Sequence, residues 1–341
     1  MRMRHGRHPG RMTGSLAVTR SAADTESGAE VVAEVVRSGM VESRHHGSVV
    51  ALDATGVVVM AIGETDTPMY PRSANKPAQA AAMLRLGLPL DGELLALAAS
   101  SHSGEDFHIK GARRILASAG LEESLLRNTP GWPLDGIAMV AYARQGFEPS
   151  SIAADCSGKH AAMLVTCTVN GWPTDGYLFP EHPLQVAIHD TIGELAGEPV
   201  AHTGVDGCGA PLFAMSLTGL ARTFRALALA APGSPGRRVV DAIQLHPQWT
   251  SGTTRDEARL IRSLPGLFAK AGAEGVYAAA LDDGRAVALK IEDGQKRACP
   301  VVMAASLQRL GLDHPVLDDL ARAPVLGGGD PVGEIQPTLP D

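Results

Sequence analysis

The first stretch able to do chemistry is Tyr70-Pro71-Arg72-Ser73-Ala74-Asn75-Lys76-Pro77, a Ser-x-x-Lys pair ahead of the apolar run Ala80-Ala81-Ala82-Met83-Leu84. A helix beginning near Ser73 puts Lys76 on the same face, one turn further on. A serine hydroxyl becomes a good nucleophile only when a neighbour takes its proton. Lysine can do this only as a neutral amine, a form favoured by desolvation or by nearby positive charge. Arg72 supplies such a charge next door. The plainer explanation is a helix cap followed by a surface lysine, which accounts for most matches to so short a motif.

Lysine is scarce enough here to carry information. Six of the 30 basic residues are lysine (Lys76, Lys110, Lys159, Lys270, Lys290 and Lys296) and 24 are arginine. Arginine stays charged at any relevant pH, whereas a buried lysine can lose its proton. Codon bias accounts for the imbalance as a whole. Under such a bias the remaining lysines are enriched where a base or neutral amine is needed, and three of the six stand in motif-like contexts.

The second stretch, Ser101-His102-Ser103-Gly104-Glu105, follows an expected helix. A serine there either caps the next helix or brings a second hydroxyl near Ser73 to relay a proton or hold an amide. Lys290 ends the strand Val287-Ala288-Leu289-Lys290. A strand-end lysine ordinarily faces solvent, but on an edge strand it can meet a serine across a cleft. Ser73 with Lys76 and Ser101 with Lys290 would then form two Ser-Lys pairs, which activate a nucleophile without histidine.

The third stretch joins Cys156-Ser157-Gly158-Lys159 to Cys208, each cysteine at a glycine-containing turn before an expected helix. Thiols at helix starts are acidified and suit Zn²⁺. Two cysteines fall short of the usual four ligands, and a free buried cysteine is the default. His160, His182 and His202 add nitrogen donors, with no spacing that singles one out. Asp206, inside a glycine-rich turn, either shapes that turn or holds a substrate α-amino group.

Composition narrows the classes. A net charge of −7 argues against nucleic-acid binding, which needs a basic face. No apolar run approaches the roughly 20 residues of a membrane span. Four cysteines (Cys156, Cys167, Cys208, Cys299) are too few for a disulfide scaffold and fit a reduced, cytoplasmic chain. Residues 1–28 open with Arg2, Arg4, Arg7 and Arg11 and lack a signal peptide's apolar run. They read as a disordered basic tail or a start assigned too early, ahead of a single domain over 29–341.

Several elements must position these groups. Val31–Arg37 opens the folded part, and Gly47–Gly63 reads as two strands joined by Asp-Ala-Thr-Gly. Helices are expected over Pro77–Leu86, Glu93–Ala99, His108–Ala119, Ala161–Val165, Leu184–Leu195, Leu212–Leu220 and Val301–Leu310. Strands are expected at Ala286–Ile291 and Pro331–Pro337, and Ala231–Gly236 reads as an inserted loop.

Taken in order, a set of motifs from about Val31 to Pro337 resembles the Rhizobium etli-type asparaginases, the asparaginase II family. They are Arg72-Ser73-x-x-Lys76-Pro77, Ser101-His102-x-Gly104-Glu105, Asp155-Cys156-Ser157-Gly158-Lys159-His160, Gly204-x-Asp206-Gly207-Cys208-Gly209, Lys290-Ile291-x-Asp293-Gly294 and Val332-Gly333-Glu334-Ile335. The resemblance implies an α/β (α+β) fold like that of serine β-lactamases, penicillin-binding proteins and glutaminases: a central antiparallel sheet flanked by helices, plus a helical part. It implies hydrolysis of L-asparagine to L-aspartate and ammonia through an acyl-enzyme. Ser73 is then the nucleophile, Lys76 its base, and Ser101 with Lys290 the second pair. Arg72 and Asp206 lie around the substrate. Cys156, Lys159 and Cys208 hold a Zn²⁺ that supports substrate binding, and the chain pairs as a homodimer. The competing readings are a glutaminase or β-lactamase-like serine amidohydrolase, a cysteine hydrolase using Cys156, and a non-catalytic, zinc-stabilised ligand-binding protein.

Overall fold

The computed structural model describes residues 28–340. The expected basic tail therefore lies almost wholly outside the described residues.

An eight-stranded antiparallel sheet forms the frame. Its strands are β1 (Glu30–Arg37), β2 (Met40–Leu52), β3 (Val58–Ile62), then, after a small three-stranded sheet of β4 (Pro68–Met69), β5 (His202–Val205) and β6 (Pro211–Ser216), β7 (Leu267–Ala271), β8 (Val276–Leu281), β9 (Ala286–Ile291), β10 (Ala323–Gly327) and β11 (Asp330–Pro337). The order is β10-β11-β1-β2-β9-β8-β7, with β3 continuing the β1 side of β2. Strand β2 can serve both because its first half pairs with β1 and its last four residues pair with β3. The β2–β3 turn is the expected one. The Asp53 carboxylate accepts from Thr55 N, Thr55 Oγ1 and Val57 N, and Gly56 takes the positive φ.

Strands β8 and β9 are buried on both faces, so their sequences run Val-Tyr-Ala-Ala-Ala-Leu and Ala-Val-Ala-Leu-Lys-Ile without apolar–polar alternation. Helices Leu217–Ala228 and Cys299–Arg309 pack on them. The abundance of alanine lets these layers approach closely, and Phe224 stacks on Phe268 at 4.9 Å. Helices Lys76–Arg85, Gly92–Ala98, Asp106–Ala117, Ser157–Val169, Pro183–Ala196 and Pro235–Leu245 pack on one another as a helical part. This is the expected architecture of an antiparallel sheet flanked by helices with a helical part.

Two local expectations need correction. Leu212–Leu220, expected as a helix, is the end of strand β6 and the start of helix Leu217–Ala228, whose first turn Ser216 caps by accepting from Gly219 N at 2.8 Å. A buried apolar run of six residues has no period that separates strand from helix. The expected Ala231–Gly236 loop is present over 231–234 but ends early, because Ser234 caps and Pro235 opens the helix Pro235–Leu245.

Candidate active site

Ser73 lies in a short 3-10 turn, Arg72–Asn75, that runs directly into helix Lys76–Arg85. The Lys76 backbone N–H closes onto the Ser73 carbonyl, so the two side chains leave consecutive positions of one turn as the i, i+3 spacing requires. From the sheet side, Gly272 just beyond β7 permits the approach. A Cβ there would stand 2.7 Å from the Pro71 carbonyl oxygen and 3.2 Å from Ala74 N. Together these segments border a cavity of about 230 Å³, lined among others by Arg72, Ser73, Lys76, Ser101, Asp155, Cys156, Asp206, Cys208 and Arg255.

Lys76 is almost completely buried, and its Nζ donates to Ser101 Oγ at 2.8 Å. The three crowded serines are thereby told apart. Ser103 Oγ donates to the Ser251 carbonyl, Ser100 Oγ is buried with no partner among the described residues, and Ser101 alone faces Lys76. Ser73 lines the same cavity, yet the hydrogen bond of Lys76 goes to Ser101. Arg72 adopts φ 50°, an uncommon region for a residue with a Cβ, and its Nε donates to Asp206 Oδ1 at 2.8 Å. Asp206 Oδ1 also accepts from Gly207 N.

The expected Ser101–Lys290 pair is not brought together. The register of β9 sets Lys290 beside Ser48 and Val276, its Nζ donates to the Ile291 carbonyl, and it lines a second cavity with Tyr70, Arg72 and Glu274. The lysine that enters the site's electrostatics is one the motif reading passed over, Lys270 on β7. It is fully buried, and burial lowers its pKa to about 7. Glu257 resists that shift, while the charges of Lys76 and Arg255 add to it. Glu257 is itself buried and gives most of its hydrogen bonding to Arg255, which donates from Nε at 3.2 Å and Nη2 at 3.1 Å. The available signal for Lys270 was a single charge inside the apolar run Leu267–Ala271, bounded by Gly266 and Gly272.

A second cluster adjoins the cavity. Cys156 and Cys208 sulfurs and a ring nitrogen of His160 lie within 4.8 Å of one another, and Lys159 Nζ donates to Cys208 Sγ at 3.3 Å. Cys156 and Cys208 divide one proton unequally. The hydrogen bond from Cys156 holds Cys208 as a thiolate, and that bond with burial pushes the Cys156 thiol well up. Burial opposes charge on Lys159, but the neighbouring Cys208 thiolate outweighs it, and its pKa is raised. His160 Nδ1 is paired with the Tyr177 hydroxyl at 2.8 Å, and its buried Nε2 has no hydrogen-bond partner among the described residues. An orphaned imidazole nitrogen beside a thiolate fits a divalent metal such as Zn²⁺, with Tyr177 fixing the ring from behind. Cys156, His160 and Cys208 thus form a candidate metal site, in which spacing alone did not single out His160. Lysine ligates only as an amine, so a bound ion would have to displace the proton Lys159 holds here.

The sequence profile of the L-asparaginase II family matches residues 33–337. The chain belongs to that family, and so to the amidohydrolases. No match was found among curated protein sequences. Solved structures of similar shape include a β-lactamase from Mycobacterium bovis, at 14% identity and TM-score 0.42 over 78% of this chain and 95% of that one. Another is EstCE1, a hydrolase with promiscuous acyltransferase activity, at 12% identity and TM-score 0.41 over 75% and 92%. Mglu in its native form matches at 14% identity and TM-score 0.44, over 78% of this chain and 65% of Mglu. Among the described residues no helix is long and apolar enough to cross a membrane.

Proposed function

We propose that the chain is a Rhizobium etli-type L-asparaginase that hydrolyses L-asparagine to L-aspartate and ammonia through an acyl-enzyme on Ser73. The observation that carries this reading is the buried Lys76–Ser101 hydrogen bond at the wall of a small polar cavity that Ser73 also lines. Lys76, as the amine, takes the Ser73 hydroxyl proton, and the Ser73 oxygen attacks the side-chain carboxamide carbon. Backbone N–H groups at the start of the Arg72–Asn75 turn bind the oxyanion; losing one such donor typically costs about 10²–10³ in rate. The Lys76–Ser101 bond gives the proton an onward route to the departing ammonia, and water then hydrolyses the ester. Lys270, poised near neutrality, takes the role first assigned to Lys290 as the second lysine of the site. Arg72 and Asp206 flank the substrate. Zn²⁺ held by Cys156, Lys159, His160 and Cys208 would supply a fixed positive charge beside the cavity, aiding substrate binding.

The cysteine-hydrolase alternative is disfavoured, because Cys156 keeps its proton and is a poor nucleophile. The reading takes the protein as cytoplasmic and as a homodimer. The exposed apolar side chains Leu134, Ile137, Met139, Val140 and Phe147 support the latter, and light scattering tests it. Ammonia release from L-asparagine and L-glutamine, beside hydrolysis of a chromogenic β-lactam, separates the rival activities. Turnover of L-asparagine that Ser73→Ala and Lys76→Ala abolish is expected. Turnover of the β-lactam alone, or full activity in both variants, rejects the reading. Retained ligand binding with no hydrolysis of any substrate would favour the non-catalytic alternative.

A further inference from the structure

Arg255 stands in the cavity wall without a task in the mechanism above. The backbone carries it there. Ser101 N donates to the Thr250 carbonyl at 3.2 Å and Ser103 N to the Ser251 carbonyl at 2.7 Å, which ties segment 250–252 to the turn that holds Ser101. Gly252 packs so tightly on that turn that a Cβ would meet Ser103 Oγ at 1.6 Å and Arg255 Cγ at 3.2 Å. Three residues later Arg255 emerges, its side chain 24% exposed, at the entrance to helix Asp256–Ser263.

Its guanidinium is held from one side only. Glu257, 1% exposed, takes Nε and Nη2, and Nη1 has no acceptor among the described residues. Of the other long cationic side chains bordering the cavity, Arg72 is held by Asp206 with Glu274 at 3.7 Å, Lys76 is bonded to Ser101, and Lys296 is exposed. A buried carboxylate that fixes one edge of a guanidinium leaves the remaining donors oriented for a second carboxylate, and less entropy is lost when it arrives. The cavity, about 230 Å³, is below the range for drug-sized ligands and suits a small zwitterion. Asp206 accepts from Arg72 and Gly207 N at Oδ1 and has only Cys208 Sγ, at 3.7 Å, beside Oδ2, where an ammonium could be met; a carboxylate partner is what the lining still lacks.

We propose that Arg255, oriented by Glu257, anchors the α-carboxylate of the substrate and makes the site selective for amino-acid amides over simple amides. The inference rests on the hydrolytic reading above. β-Alaninamide is L-asparagine with hydrogen in place of the α-carboxylate, so the two substrates isolate this contact. Wild type, Arg255→Gln, Arg255→Lys and Glu257→Gln are compared on both by ammonia release. Arg255→Gln is expected to lose about 10²–10³ in kcat/KM on L-asparagine, chiefly through KM, as for truncation of one partner of a buried charged contact. On β-alaninamide it should stay within about three-fold of wild type, because that substrate never makes the contact. Arg255→Lys should recover part of the loss, and Glu257→Gln should show a smaller one in the same direction. Inhibition by L-aspartate and by β-alanine gives the same discrimination without turnover of the poorer substrate: only L-aspartate should weaken in Arg255→Gln. Equal losses on both substrates, equal weakening of both inhibitors, or no loss on L-asparagine overturns the proposal. Absence of ammonia from L-asparagine with wild type rejects the hydrolytic reading instead.

Discussion

Lys270 and Lys159 are both completely buried within one chain, yet their proton affinities move in opposite directions. Burial alone penalises the ammonium form at both. At Lys159 an anion stands within 3.3 Å, the Cys208 thiolate, and the charge is kept. At Lys270 the carboxylate that most favours the charge, Glu257, is already engaged by two guanidinium nitrogens, and the charges of Lys76 and Arg255 add repulsion. What separates a lysine near neutrality from one that keeps its charge is therefore the prior commitment of the counter-ion, more than the depth of burial.

The comparison can be broken in steps. Lys270→Met should cut L-asparagine hydrolysis by about 10³-fold, within the range typical of a lost proton-transfer group, measured as kcat/KM at pH 8. The same variant should be more stable than wild type at neutral pH. The unfolded chain binds a proton up to pH 10.5 and the folded one only up to about 7, so wild-type stability rises over that window and the gap closes. Denaturant melts at pH 7 and pH 10 test the sign. Lys159→Met should lower zinc affinity by about 10–100-fold, the range seen when the immediate support of a metal site is altered, read by competition with a chromogenic chelator. Glu257→Gln removes the group that favours protonated Lys270, so the acid limb of the pH–rate profile should move to lower pH. Asp256, pushed up to about 7 by burial and Glu257, titrates in the same region, which makes the Lys270→Met control necessary. The exposed Lys110–Asp106 pair sets the floor. Lys110→Ala should change stability by less than about 0.5 kcal/mol by thermal melts, as solvent-exposed pairs do.

Sequence disclosed the pieces of this site unevenly. Ser73 and Lys76 were legible because both sit on one turn, where local spacing sets geometry. The cysteines and Lys159 were legible as donors, and Asp206 as a carboxylate in a turn that needed it for little else. That Ser101 meets Lys76 and not Lys290 was not, since it depends on which elements tertiary packing brings together. Lys290 and Lys270 occupy different strands of one sheet, and only the register sets Lys290 opposite Ser48 and Val276. His160 likewise emerged only with Tyr177 against its Nδ1. In the fold, the β2–β3 hairpin was plain from its turn. The polar first half of β2 was hidden, because Met40–Arg44 runs along a largely exposed strand without an apolar face. Strand β6 was lost for the opposite reason, being apolar throughout.

Six lysines make one direct measurement possible. In metal-free protein carrying ¹³C at lysine Cε, a pH titration by NMR follows each ammonium separately. One resonance, absent in Lys270→Met, should titrate at about pH 7. A second, absent in Lys159→Met, should remain protonated beyond 10.5. Lys270 titrating at or above 10.5, or Lys159 losing its proton near neutrality, would contradict the account.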